Sequence, residues 1–166
     1  HRQRRPHRPE PALADRGLLV LETDEFTLFS AADEARTRRL AVRIAMLRAA
    51  GKQTFGASLS RRSQPVRIYA LSHADWERHA QPRPGVSGYF LEHPFSSDLL
   101  FDSGTLQSTA YELVFHEYVH HLLRRLATPP LPPFLDEGFA EAFSTAMFHG
   151  EVVRLEPRLD HVRYLR

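Results

Sequence analysis

Residues 128–133 read Thr-Pro-Pro-Leu-Pro-Pro, and four prolines in six positions let no helix pass through. On the N-terminal side of this break, residues from about Ser108 to Leu126 form the longest convincing helical pattern in the chain. On the other side a second pattern runs from about Pro133 to Phe148 and stops near Gly150. Two helices joined by so short a link are expected to return antiparallel, each with its apolar stripe against the rest of the protein.

The residues before this helix pair carry mainly the period of strands. LLVLE and EFTLFS read as two short strands around Glu22–Glu25, with Thr27 and Phe29 alternating against Phe26 and Leu28. Pro65 to Leu71 is the clearest strand, with Val66, Ile68 and Ala70 on one side. VSGYFLE and SDLLFDS, separated by residues 93–96, read as a hairpin or as neighbouring strands. Between these segments, Ala31 to Ala50 is rich in Ala, Arg and Leu, with Leu40, Ile44 and Leu47 at helical spacing, and the Gly51 and Gly56 region is expected to close that helix. Ser72 with Asp75 resembles a capping box that opens a short helix through His79. VVRLE is a further strand candidate. The expectation is an α+β fold, with a small mixed or mostly antiparallel sheet, built near 18–30, 65–71 and 87–102, packed against helices.

Charge narrows the function classes. The formal net charge is 22 − 20 = +2, but residues 1–11 hold four arginines against Glu10, and the remainder is 18 − 19 = −1. Residues 1–16 are therefore expected to be a flexible basic leader ahead of one folded domain at 17–166, and nucleic acid is not an expected partner. The chain has no cysteine, which excludes disulfide scaffolds and thiolate metal sites. No apolar run approaches the roughly 20 residues that a transmembrane helix needs. Expected localisation is the bacterial cell envelope or secretion if an export signal has been removed, and the cytoplasm otherwise; oligomeric state is not readable.

The chemistry concentrates in His116-Glu117-Tyr118-Val119-His120. Histidines at i and i+4 share one face of a helix and reach a common ion, with the glutamate beside them as a general base. Satisfied core histidines are the competing reading. Glu137 lies 17 residues beyond His120, which suits a third ligand brought back on the second helix, although a glutamate in a helix's first turn is also favoured by the dipole. Gly138 is expected to let the two helices approach closely. Two imidazoles and a carboxylate leave a fourth tetrahedral position open, as catalytic zinc requires. Glu141, four residues further on, is a candidate acceptor for the non-ligating nitrogen of His116 or His120, or else a solvated side chain. Asp136 is a second such candidate, or else a helix cap. Leu123 and Leu126 stand where a metzincin carries glycine and a third histidine, and His121 points about 100° around the helix from His120.

HEYVHHLL followed by PPFLDEGFAEAFS resembles the gluzincin metallopeptidases, in particular the bacterial peptidase MA-like families with HExxH and (W/F)LxEGxAE(Y/F). The resemblance covers about residues 18–155 and is most specific at 111–143. It implies a thermolysin-like two-helix site with zinc on His116, His120 and Glu137, and Glu117 as base. It also implies an edge strand within Gly88 to Phe101, represented by Gly88, Tyr89 and Phe90, that pairs with an extended peptide or protein substrate. Phe134 replaces the commoner tryptophan. The family takes an oxyanion donor from a following helical subdomain that this chain is expected to lack; Tyr164 is the candidate for that role here. The expected activity is peptide-bond hydrolysis, with a catalytically weak or inactive metal-stabilised peptide-binding module as the alternative.

Overall fold

The computed structural model describes residues 17–55, 66–80, 88–93, 96–105, 108–126, 131–150 and 152–155. The leader, Pro65 and Tyr164 lie outside them.

Strands β1 (Leu19–Glu22) and β2 (Phe26–Ser30) form an antiparallel hairpin, in which Phe26 and Leu28 are buried on one side and Thr27 and Phe29 are half-buried on the other. The chain then turns into helix α1 (Glu34–Phe55), where the Asp33 carboxylate accepts the Arg36 N–H at 2.8 Å. This cap starts the helix three residues later than the Ala31 expectation. At the other end α1 runs through Gly51, so that glycine does not close it; one glycine costs a helix only about 1 kcal/mol, less than a long packed helix recovers.

Strand β3 (Val66–Leu71) follows, then helix α2 (His73–Ala80), strands β4 (Gly88–Glu92) and β5 (Ser97–Asp102), and a 3-10 turn, Ser103–Thr105. Ser72 caps α2, as the sequence suggested: the Asp75 N–H donates to Ser72 Oγ at 3.2 Å, and the Ser72 hydroxyl donates to the Asp75 carboxylate at 2.8 Å. The sheet order is β1-β2-β3-β5-β4, with β2, β3 and β5 parallel and the two edge strands antiparallel to their neighbours. The sheet is thus mixed rather than mostly antiparallel, because α1 and then α2 with β4 serve as the long crossovers that parallel neighbours require.

Helix α3 (Ser108–Leu126) and helix α4 (Pro133–Ser144) flank the proline break and pack along one another. With α1 they cover one sheet face, where Leu28, Ile68, Ala70, Leu99 and Phe101 meet Ile44, Leu47, Phe115, Tyr118 and Leu122. The opposite face is smaller: Tyr69, Leu71 and Leu100 pack under Trp76 of α2.

α4 ends at Ser144, not at Phe148. The Ser144 and Thr145 hydroxyls bond back to the Glu141 and Ala142 carbonyls at 2.7 and 3.0 Å, and the next residues form strand β6 (Ala146–His149). Gly150, at φ +59°, makes the turn to strand β7 (Val152–Leu155), the VVRLE segment. Phe148 of this hairpin meets Phe115 edge-on at 5.4 Å.

Candidate metal centre

α3 buries Val114, Phe115, Tyr118, Val119, Leu122 and Leu123, and that apolar stripe fixes which side of the helix is left for His116 and His120. α4 enters against this side. Pro133 occupies its first turn, where a missing N–H costs nothing, and Asp136 and Glu137 follow within one turn.

Three donors converge. His116 Nε2 and His120 Nε2 are 3.1 Å apart, and Glu137 presents Oε2 to His116 Nε2 at 3.5 Å and Oε1 to His120 Nε2 at 3.6 Å. All three lie within 4.8 Å of one another, the only such group of metal-capable side chains among the described residues. Zinc–ligand distances of about 2.0–2.2 Å at a tetrahedral angle put neighbouring donors about 3.3–3.6 Å apart, close to the spacings seen. Two imidazole nitrogens and one carboxylate also suit zinc chemically. His116 is 23% exposed, His120 7% and Glu137 66%, so the cluster sits at the surface end of the helix pair with one side open.

The remaining ring nitrogens face carboxylates on α4. Asp136 Oδ2 lies 3.0 Å from His120 Nδ1, and Glu141 Oε2 lies 3.6 Å from His116 Nδ1. A hydrogen bond donated from Nδ1–H leaves the Nε2 lone pair free to ligate. The two second-sphere candidates therefore divide between the histidines, and Asp136 is the closer. Asp136 does not serve as the side-chain cap of α4, whose N-cap position is Pro132. Glu117 is half-buried on α3 next to His116.

Gly138 does not have the expected role. It is exposed, and a Cβ added there meets nothing within 4 Å, so the approach of the helices does not depend on it. The glycine that does matter for packing is Gly88, where a Cβ would come within 2.9 Å of Leu113 Cδ2 on α3 and 3.4 Å of the Leu100 carbonyl. β4 consequently passes tightly beside α3 and, among the described residues, borders a single strand, β5. Its side chains are committed to packing: Tyr89 stacks on Trp76 at 5.4 Å, and Phe90 tilts against His121 at 5.7 Å. His121 is buried beside the neighbouring Tyr118, off the donor cluster. Phe134 is 73% exposed in the first turn of α4.

Sequence reasoning passed over Arg48. Its only signal was position, since it continues the Leu40, Ile44, Leu47 stripe of α1 with a charge. It is buried, and its Nε lies 2.5 Å from Glu25 Oε2.

Comparison with known protein families and with curated proteins finds no match for this chain. Fold and site together define an α+β protein with a His116/His120/Glu137 cluster capable of holding a metal ion. None of its described helices is long and apolar enough to cross a membrane.

Proposed function

We propose that this chain is a zinc-dependent peptide hydrolase of the gluzincin kind. The observation that supports it most is the convergence of His116 Nε2, His120 Nε2 and the Glu137 carboxylate from two helices at spacings that suit one tetrahedral ion. Zinc bound there would supply a Lewis acid that brings the pKa of water from about 15.7 toward 7 and polarises a carbonyl. Glu117 takes the proton from the attacking water and passes it to the leaving amine. Asp136 holds the Nδ1 proton of His120 by a hydrogen bond, which keeps its Nε2 turned toward the ion, and the Glu141 carboxylate stands 3.6 Å from His116 Nδ1. The outer edge of β4 receives an extended substrate by main-chain pairing, a mode that needs no side chain from Tyr89 or Phe90.

The test is turnover of a broad peptide library by the parent and by Glu117→Gln, with zinc measured in the same samples. The expected result is unchanged zinc and a loss of about 10²–10⁴ in rate, the usual worth of a general base. Equal turnover by the two proteins overturns the assignment of Glu117, and a parent without turnover overturns the hydrolase reading.

A further inference from the structure

Leu113, Glu117 and His121 are spaced four residues apart on α3, so they follow one another along one side of the helix at steps of about 40°. Both ends of that stripe meet β4. Gly88 faces Leu113, and the Phe90 ring tilts against the His121 ring at 5.7 Å. Glu117 is the middle member, so the strand proposed to pair with substrate runs along the side of α3 that carries the proposed base. How closely β4 approaches α3 then decides where a paired substrate lies.

That approach is set by Gly88, which is buried. Its backbone does not require glycine, since positive φ among the described glycines occurs at Gly17 and Gly150, and a strand glycine otherwise costs entropy and packing. Space requires it. A Cβ there would stand 2.9 Å from Leu113 Cδ2, 3.3 Å from Leu113 Cγ and 3.4 Å from the Leu100 carbonyl oxygen. Ordinary carbon contacts are about 3.5–4.0 Å, so the added methyl would overlap the helix by roughly 0.6–1 Å. Turning the Leu113 methyl aside does not relieve this, because Cγ is close too and Leu113 packs against the main core. β4, with β5 as its one strand neighbour among the described residues, is the part that yields.

We propose that Gly88 is a positioning residue: by carrying no side chain it lets β4 close on α3, which brings a strand-paired peptide within reach of Glu117. The inference rests on the hydrolase reading above and deepens it. Misplacing reacting groups by about 1 Å costs about 100-fold in rate. Main-chain pairing on the outer edge of β4, by contrast, does not depend on what the side facing α3 touches. The signature of the role is therefore a fall in kcat at unchanged peptide affinity.

The probe is the member of a mixed-sequence fluorogenic peptide library that the zinc-loaded full chain cleaves fastest. Its affinity is measured on the metal-free protein, with zinc per chain and Tm beside it. Gly88→Ala is expected to lower kcat about 100-fold while zinc content and peptide affinity stay as in the parent. Leu113→Ala is expected to lower Tm yet keep most of the parent's kcat. Combined with Gly88→Ala it leaves room for the added methyl, and kcat is expected to return to the level of Leu113→Ala alone. A glycine needed only for stability would regain no rate when a second packing contact is removed. If Gly88→Ala folds poorly, Leu113→Phe presses on β4 from the helix side and is expected to give the same loss of kcat at the same affinity. Unchanged kcat in either of these two variants overturns the inference. So does a loss that the double variant does not recover, or one that peptide affinity shares in full. A parent without turnover removes the hydrolase reading and this inference with it; a parent that cleaves, with Gly88→Ala equal to it, removes this inference alone.

Discussion

Among the described residues two histidines have Nδ1 held by an aspartate, and they occupy opposite chemical situations. At the corner between β5 and α2, His73 Nδ1 lies 2.6 Å from Asp102 Oδ2, and Asp102 Oδ1 accepts the Gly104 N–H at 2.8 Å. On the helix pair, His120 Nδ1 lies 3.0 Å from Asp136 Oδ2. The first pair is the shorter, yet His73 is 71% exposed and, among the described residues, belongs to no group of three metal-capable donors, whereas His120 is 7% exposed and turns Nε2 toward His116 and Glu137. An aspartate at Nδ1 is therefore not what marks a metal site; convergence at the other nitrogen is. At His73 the carboxylate instead favours a bound proton, and protonation removes the lone pair that a ligand needs.

The largest effect that would sharpen this contrast is on metal content. Replacing His116 and His120 together by alanine is expected to take the protein from stoichiometric zinc to none, while His73→Ala leaves zinc unchanged, both read by elemental analysis of protein purified without chelator. Equal zinc in the parent and the double variant would erase the distinction between the two regions.

A smaller effect separates the aspartates. Asp136→Asn keeps the side chain's size but weakens its hold on His120, and is expected to lower zinc affinity by about 10–100-fold in a chelator competition. Glu141→Gln, at the longer 3.6 Å separation from His116 Nδ1, is expected to cost less, and Asp102→Asn nothing measurable. An Asp102 variant that loses zinc affinity as the Asp136 variant does would mean that the corner and the helix pair are coupled.

Much of this arrangement was legible in advance, and the exceptions have physical causes. Strong alternation exposed β2 and β3, and the proline break exposed the α3–α4 pair, because both are local signals. That β3 lies between β2 and β5 was not legible, since parallel pairing depends on where α1 and α2 carry the chain rather than on any strand's own residues. The end of α4 was missed because residues 145–148 fit a helix as well as a strand, and hydroxyls bonding back to the Glu141 and Ala142 carbonyls decided it. In the site, the His116, His120 and Glu137 convergence follows from helical spacing. Whether Asp136 caps α4 or faces a histidine depends on the rotation of α4, which one sequence does not carry. Arg48 was hidden for a related reason: α1 holds several arginines, and only packing shows which of them is buried against Glu25.

The smallest effect lies at the corner itself and concerns protons. The hydrogen bond to Asp102, and then its charge, raise the pKa of His73 above its ordinary value of 6.5, with burial opposing slightly and Glu77 assisting. A folded pKa above the unfolded one means that the folded state holds this proton more tightly. The resulting stability is fully present below about pH 6.5 and is lost as pH rises through the folded value. Because His73 is so exposed, solvent screens the pair, and the change in Tm across that window is expected to be small. The direct measurement is an NMR titration of the His73 ring in the metal-free protein, in the parent and in Asp102→Asn. The parent should titrate above 6.5, and the variant should return toward it. If His73 titrates at the ordinary value in both, the carboxylate at Nδ1 has no hold on the proton, and the difference between the two histidines would rest on burial alone.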